Sequence, residues 1–145
     1  MTHLAVARVS LALLCGLQGL ATLAIDLNRT HATNPQWPAH ARFHVVWQTA
    51  NTALLALLEL ALILCRGPYE EERFYLAIVL ASVPMLGFFA ALISRTTYGG
   101  ALSDPNGIPP ARLPVLGRVL LVDLNLAAVV CGMLALVAIG LIYRL

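Results

Sequence analysis

The sequence predicts an all-α protein, an integral membrane four-helix bundle with both chain termini on the same side. Three observations lead to this fold class. Hydrophobic residues make up 60% of the 145 residues, and charged residues make up only 11%. A soluble domain carries roughly a quarter of its residues as charged groups. The third observation is the presence of four long apolar runs, so we expect lipid to cover the surface that charge does not.

The four apolar runs have the length of membrane-spanning helices. They cover residues 9–25, 45–65, 74–94 and 119–143. Each is close to the roughly 20 residues that a helix needs to cross hydrocarbon, and a helix is expected because no water satisfies the backbone there. Residues 1–145 are thus expected to form one transmembrane domain. Four spans place both termini on one side, which we call side A, and the longer segments 26–44 and 95–118 on the other, side B.

The orientation of these spans is not decided by their flanking charges. Four arginines fall on side A and five on side B, so the positive-inside rule does not choose between the two orientations. The first run also has features of a secretory signal peptide, because Arg8 precedes it. Gln18 interrupts its apolar region, however, and no clean cleavage site follows, so a retained helix is favoured over a cleaved one.

Charge and cysteine placement argue against several classes of protein. The arginines form no basic run and the net charge is +2, so nucleic acid is not an expected partner. Cys15, Cys65 and Cys131 lie in apolar stretches without a C-x-x-C pair, which favours small buried residues over a disulfide or a thiolate metal site. The sequence has no dinucleotide-binding, phosphate-loop, Ser-His or haem-attachment motif, so the cofactor is unknown.

Polar residues inside the spans follow helical faces. Those that share a face are Gln18, Thr22 and Asp26 on the first helix; His40, His44, Gln48, Asn51 or Thr52, and Glu59 on the second; and Asp123 and Asn125 on the fourth. Residues four apart lie on one side of a helix, and an ionisable group in lipid needs a partner or water. We therefore expect the polar faces to meet at the centre of the bundle, in a pocket that opens to side B.

The segment of residues 30–44 concentrates chemically active side chains. It holds three of the four histidines and one of the two tryptophans, together with Pro35 and Pro38. A residue before proline is restricted to extended conformations, so the segment is expected to be stiff and to hold its side chains in place. Pro38 suits the first position of a helix, and from there His40 and His44 project from one helical face.

Residues 30–44 also carry a family resemblance. Their pattern, T-H-x-x-N-P-x-W-P-x-H-x-R-F-H, resembles the hallmark of a family of small four-helix membrane proteins of unknown function, known mainly from fungi and sometimes loosely labelled as acetyltransferases. Residues 98–105, an aromatic–Gly stretch followed by Asp-Pro, are similar to the same family, as are residues 122–126. Residues 45–48, Val-Val-Trp-Gln, depart from the Asn-x-Gln that the family has there. The resemblance implies the four-helix architecture and a role for Asp104, and it implies no activity.

The leading functional hypothesis is a membrane-embedded enzyme that performs acid/base chemistry on a lipid-like or isoprenoid-like molecule. Isomerisation and cyclisation are the expected reactions, because acids, histidines and tryptophans within a bundle are similar to the ingredients of sterol-type isomerases and terpene cyclases. The predicted catalytic residues are His40 and His44 as acid and base, with Asp26 and Asp123 as orienting or proton-donating acids. The predicted substrate contacts are His31, Asn34, Trp37, Gln48, Asn51 and Asp104. Membrane lipid and a hydrophobic small molecule are the expected partners.

Two other hypotheses stay open beside this one. The second is a non-catalytic membrane subunit, in a homo-oligomer or a larger complex, or a ligand-binding protein whose His/Trp segment is a structural clasp. The third is a metal site at His40 and His44, with further ligands drawn from a set of four residues, His31, Asp26, Asp104 and Asp123. Each candidate residue also has a purely structural interpretation. The histidines would bind loop carbonyls at the interface, Asp26 would pair with Arg29 or cap the helix end, and Asp104-Pro105-Asn106-Gly107 would form a turn.

Overall fold

The computed structural model describes residues 2–104 and 106–145. In this part of the chain the elements are α1 (His3–Asp26), α2 (Ala39–Leu64), α3 (Glu70–Ser94), a 3₁₀ turn (Arg95–Thr97), β1 (Ala111–Val115), β2 (Arg118–Val122) and α4 (Leu124–Tyr143). Each of the four α-helices is long and apolar enough to cross a membrane, which confirms the four predicted helices. The all-α class is wrong in one respect, since β1 and β2 form a two-stranded antiparallel sheet.

Three of the helices begin before the apolar runs that predicted them. At the start of α1, the Thr2 hydroxyl accepts a hydrogen bond of 3.3 Å from the Ala5 N–H. Helix α2 begins directly after Pro38, whose φ is −56°, and α3 begins with three acids in its first turn, where negative charge interacts favourably with the helix dipole. A capping hydroxyl, a proline and an acidic first turn thus begin the three helices in polar sequence, which a count of apolar residues does not register.

The fourth helix begins later than predicted because the start of its apolar run is strand β2. Leu116 and Gly117, which join the two strands, have φ values of 47° and 76°, and two positive values are typical of the tight turn in a β-hairpin. Val115 and Arg118 pair across this turn. Residues 119–122 are therefore extended, and α4 begins only at Leu124. Hydropathy alone does not distinguish a short apolar strand from an apolar helix.

The four helices form a square antiparallel bundle. Helix α1 packs against α2 and α4, and α3 packs against the same two helices, whereas α1 and α3 face each other across the diagonal. Both termini lie at the end of the bundle that carries the short α2–α3 loop, which is side A. The connection from α1 to α2 and the hairpin that precedes α4 lie at the opposite end, side B.

The side-A half of the bundle is a dry core. Its buried residues come from all four helices and are Ala7, Leu11, Cys15, Ile63, Phe74, Ala77, Ala81, Met85, Leu136 and Ile139. The Phe74 ring stacks on Tyr143 with 3.8 Å between the ring centroids. Arg8 links α1 to α3 through an ion pair of 2.8 Å with Glu70. These contacts fix the helices relative to one another and so position their side-B ends.

Two glycines bring neighbouring helices close together at the boundary of this core. A Cβ atom on Gly19 would lie 2.7 Å from the Ala56 Cβ, and a Cβ atom on Gly132 would lie 2.7 Å from the Met85 Cε. Both distances are shorter than van der Waals contact, so α1 approaches α2, and α4 approaches α3, more closely than a larger residue would permit. Between these contacts and side B, the centre of the bundle holds a cavity.

Candidate functional site

The cavity in the side-B half has a volume of about 540 Å³ and is bounded by all four helices. Its lining is mostly apolar. The polar side chains that line it number seven and are Gln18, Thr22, Asp26, His31, Gln48, Thr52 and Asn125. Sites for small molecules have volumes of roughly 300–1,000 Å³ and combine apolar walls with a few polar groups. This cavity therefore has the size and lining of a ligand site.

Asp26 is the acid of this cavity, and α2 holds it in place. The Thr49 hydroxyl donates a hydrogen bond of 3.2 Å to Asp26 Oδ2, and Thr49 is fully buried. The backbone carbonyl of Asp26 accepts a hydrogen bond of 2.9 Å from the Ala32 N–H, which folds the following loop back over the helix end. The predicted ion pair with Arg29 is replaced by this contact with Thr49. The carboxyl group is thus fixed in direction at the cavity wall.

His31 is the second titratable group at the cavity, and a chain of hydrogen bonds fixes its tautomer. Asn28 Nδ2 donates to the Ala24 carbonyl over 3.0 Å, so Asn28 Oδ1 faces Thr30. This Oδ1 accepts hydrogen bonds from the Thr30 N–H at 2.8 Å and from the Thr30 hydroxyl at 2.6 Å. The hydroxyl has one proton, so the 2.7 Å contact between Thr30 Oγ1 and His31 Nδ1 places a proton on Nδ1. Neutral His31 then has an unprotonated Nε2, which is the basic atom of the ring.

Trp37 constrains the same histidine from another side. Its ring meets the His31 ring edge to face, with 5.2 Å between centroids and an angle of 80° between planes. Trp37 is a predicted substrate contact, but the structure places it against His31 and outside the cavity lining. Its contact with the site is therefore indirect, through the orientation of His31.

Asn34 connects the two side-B segments and has no polar atom left for a substrate. Its amide nitrogen donates to the Asn106 carbonyl at 2.8 Å and to the Thr30 carbonyl at 3.4 Å. Its amide oxygen accepts a hydrogen bond of 3.0 Å from the Gln36 N–H. Asn34 is buried and does not line the cavity. Asn34, predicted as a substrate contact, is thus a brace that connects the α1–α2 loop to the segment before the hairpin.

Asp104 lies in a turn away from the cavity. Its Oδ1 accepts a hydrogen bond of 2.7 Å from the Asn106 N–H, and its carbonyl accepts one of 3.0 Å from the Gly107 N–H. These are the bonds that the turn interpretation predicts. Pro105, predicted at the second position of this turn, lies outside the described residues. Asp104 does not join the predicted substrate contacts at the cavity.

His40 and His44 form an outward-facing pair, away from the cavity. Their Nε2 atoms lie 3.1 Å apart, so one ring donates a hydrogen bond to the other, and His44 also stacks against Trp47. Both side chains are exposed. A stripe at every fourth residue drifts by about 40° per step on a helix with 3.6 residues per turn. The predicted face therefore turns by about 120° between His40 and Thr52, which brings Gln48 and Thr52 to the cavity and leaves the two histidines outside.

The remaining predicted residues of the site are also displaced from the cavity. Asn51 is exposed on α2. Asp123 was predicted inside the fourth span, but it is the N-cap of α4, and its Oδ1 accepts a hydrogen bond of 2.9 Å from the Leu126 N–H. The reason is the hairpin, which occupies the start of the apolar run and moves the helix end to Asp123. Asp123 therefore has a structural hydrogen bond and no contact with the cavity.

The His/carboxylate metal hypothesis finds no third ligand in the described part of the chain. Within residues 2–104 and 106–145, no three His, Cys, Asp or Glu side chains are close enough together to hold one metal ion. His40 and His44 remain a pair, while Asp26 and His31 lie at the cavity.

Two features of the site could not be selected from the sequence alone. Gln18 lines the cavity, and its Oε1 is buried without a hydrogen-bond partner among the described residues. The polar stripe of the first helix predicted that Gln18 faces inward, but it did not predict that this oxygen has no donor in the described part of the chain. Thr49 binds Asp26, but nothing in the sequence distinguishes this threonine of an apolar helix as the partner of that carboxyl group. Glu59 is 1% exposed in α2, and its carboxyl oxygens have no hydrogen-bond partner among the described residues, but it lies outside the cavity lining.

Comparisons with protein-family models, with curated proteins and with solved structures give no match for this chain. The resemblance of residues 30–44 to a family of four-helix membrane proteins therefore stays a prediction.

Proposed function

We propose that this protein is an integral membrane enzyme that transfers protons on a lipid-like or isoprenoid-like molecule held in the side-B cavity. The observation that supports this most directly is the presence of Asp26 and His31 at one largely apolar cavity, each oriented by its own hydrogen bond. Positioned acids and bases of this kind typically accelerate a proton transfer by roughly 10²–10⁴-fold. Isomerisation of a carbon–carbon double bond, or a cyclisation that begins with protonation, is the reaction class.

The two residues have complementary roles in this proposal. Asp26, in its carboxylic acid form, delivers a proton to one carbon of the double bond, which leaves the positive charge on the other carbon. The Nε2 atom of His31 then removes a proton from the allylic carbon attached to that second carbon. The double bond shifts and the substrate keeps its composition. The resulting carboxylate and imidazolium return to their starting forms when a proton passes from His31 to Asp26, so no further reagent is required. Gln18 lines the cavity, and its side-chain amide would hold a hydroxyl group on the substrate.

The proposed roles fall mainly on residues other than those that the sequence predicted to be catalytic. His40, His44 and Asp123 are engaged in contacts outside the cavity, so the proposal assigns them no proton transfer. Of the four predicted catalytic residues, the proposal retains only Asp26. It assigns the role of base to His31, which the sequence predicted as a substrate contact.

Deuterium incorporation tests this proposal with a panel of candidate substrates. Purified protein in liposomes is incubated in D₂O with isoprenoid alcohols, terpenes and sterols that contain a double bond, and products are analysed by mass spectrometry. We expect deuterium at carbon in at least one member of the panel. His31→Phe should lower its rate at least 100-fold, whereas the matched variant His40→Phe should leave it within about twofold. No exchange with any panel member, or equal losses in both variants, would overturn the proposal.

A second candidate function is non-catalytic binding of the same kind of molecule. It is favoured by the five neutral members of the polar lining, Gln18, Thr22, Gln48, Thr52 and Asn125, and by the Asn34 brace, which gives the loop a structural purpose. A ligand-binding protein would retain a panel member during purification from liposomes but would not exchange its protons. Binding with no exchange, unaltered in His31→Phe, would favour this function over the enzyme.

A further inference from the structure

The seam between α1 and α4 is closed in the side-A half of the bundle and open in the side-B half. Near side A, Leu11 of α1 and Leu136 and Ile139 of α4 are buried in one core. Nearer side B, Leu17 of α1 lines the cavity and is nevertheless 63% exposed. Asn125 and Ala128 of α4 also line the cavity and are exposed. Exposed residues from two neighbouring helices thus frame an opening into the cavity.

The depth of this opening places it beside lipid chains. Leu17 precedes Asp26 by nine residues on α1, which corresponds to about 13 Å along a helix that rises 1.5 Å per residue. Both helices are long and apolar enough to cross a membrane, so the deep edge of the opening, at Leu17, adjoins hydrocarbon, while Asn125 lies at its side-B edge near the start of α4.

The cavity lining changes in polarity along the same direction. Asp26, His31 and Asn125 line its side-B end, whereas Leu14, Met85 and Gly132 line its deep end. A molecule with one polar head and an apolar chain matches this gradient. The head would meet Asp26 and His31, and the chain would extend past Leu17 towards the lipid.

We propose that the opening between α1 and α4, framed by Leu17, Asn125 and Ala128, is a lateral portal through which a single-headed amphiphile enters the cavity from the side-B leaflet. The inference deepens the proposed function in its substrate class and rests on that function only there. The portal itself is a statement about access, and it is tested by access alone. Entry of a small polar molecule from the aqueous phase on side B is the competing route.

Photolabelling in liposomes distinguishes the two routes. One probe is a sixteen-carbon alcohol with a diazirine at mid-chain, and the other is a short diazirine alcohol that stays mainly in water. Labelled sites are located by mass spectrometry and normalised to Leu134, which is exposed on the opposite face of α4. We expect the long probe to label Gln18 and the cavity-facing residues around it, in excess over the short probe.

A bulky substitution at the portal supplies the decisive comparison. Ala128→Trp narrows the opening and should lower labelling of Gln18 by the long probe at least fivefold, with the smaller Ala128→Leu giving an intermediate loss. Ala138→Trp, an equal change at an exposed position of α4 outside the cavity lining, should leave the labelling unchanged. Labelling by the short probe alone, or labelling that is insensitive to Ala128→Trp in protein of unchanged helicity, would overturn the portal.

One further variant separates this inference from the proposed enzyme. His31→Phe removes the base but does not touch the portal, so labelling of Gln18 should persist while deuterium exchange is lost. If labelling depends on Ala128 but no wild-type exchange occurs, the portal stands and the enzyme proposal fails. If exchange occurs without labelling by the long probe, the portal fails and the enzyme proposal stands.

Discussion

Thr30 Oγ1 lies 2.7 Å from His31 Nδ1 and 2.6 Å from Asn28 Oδ1, so the hydroxyl of Thr30 sets which nitrogen of its neighbour carries the proton. The arrangement resembles the outer hydrogen bonds that orient histidines in other sites, where a partner on one ring nitrogen fixes the chemistry of the other. It is made by three residues of a short loop, and it would be lost with a single oxygen atom.

Removal of that oxygen should impair His31 without altering the fold. Thr30→Val keeps the shape of the side chain but leaves Nδ1 without its acceptor, so we expect both neutral tautomers to be populated and the exchange rate of the bound substrate to fall about tenfold, as for loss of a supporting hydrogen bond. Nitrogen-15 NMR of labelled histidine measures the tautomer directly. Thr33→Val, at an exposed position of the same loop, is the control, and a wild-type signal with the proton on Nε2 would contradict the assignment.

The contact between Thr49 and Asp26 predicts a similar dependence on α2. Thr49→Val removes a buried donor, and we expect a loss of about 1 kcal/mol in the free energy of unfolding, typical of one hydrogen bond, together with reduced deuterium exchange. Thr49→Ser retains the hydroxyl and should restore most of the exchange. Stability is measured by unfolding in mixed micelles, and equal exchange rates in the two variants would show that Thr49 does not position the carboxyl group.

The Asn34 brace predicts that the two side-B segments are mechanically coupled. Asn34→Ala leaves the Asn106 carbonyl and the Gln36 N–H without their partner, at a cost of about 1–3 kcal/mol for buried groups. Hydrogen–deuterium exchange of backbone amides should therefore accelerate in both the 28–37 and the 100–108 segments. Asn51→Ala, at an exposed position of α2, should change neither. Faster exchange in the first segment alone would mean that the brace does not connect them.

Glu59 predicts a variant more stable than the natural chain. Glu59 is 1% exposed, and its carboxyl group lies beside the weakly donating thiol of Cys15 on α1 without a well-formed hydrogen bond among the described residues; a buried polar group without a good partner costs roughly 1–3 kcal/mol. Glu59→Met fills a similar volume without this cost, so its melting temperature in detergent should rise by several degrees. Glu72→Met, at an exposed position at the start of α3, serves as the reference, and a lower melting temperature for Glu59→Met would indicate a partner for the carboxyl group.

Hydropathy predicted the helices well because a span in lipid leaves the backbone no other regular structure. It failed at residues 119–122, where the run is apolar but the turn at Leu116 and Gly117 decides the conformation. The candidate site was predicted in part for a related reason. Over two steps, from Gln18 to Asp26, a four-residue stripe drifts by only about 80°, and all three of its residues line the cavity.

Over three steps, the same drift turns the stripe by about 120° between His40 and Thr52. The sequence does not show at which residues of this stripe the neighbouring helix makes contact. The sequence pattern could not predict the role of His31, for a different reason. It depends on the directions of hydrogen bonds within the loop, which involve Asn28 and Thr30 and are fixed only by the folded backbone.

The division of the bundle into a dry half and a hollow half also sets the residues that hold the fold largely apart from those that meet a ligand, and of the ten core residues in the described part of the chain Met85 alone lines the cavity as well. None of the seven polar side chains at the cavity belongs to the side-A core. Substitutions at the cavity therefore change ligand preference at little cost to folding, because function resides in sites carried by a scaffold. The side-A core is a template on which new binding specificities can be selected, by varying a few positions on α1, α2 and α4 while the packing around Phe74 stays constant.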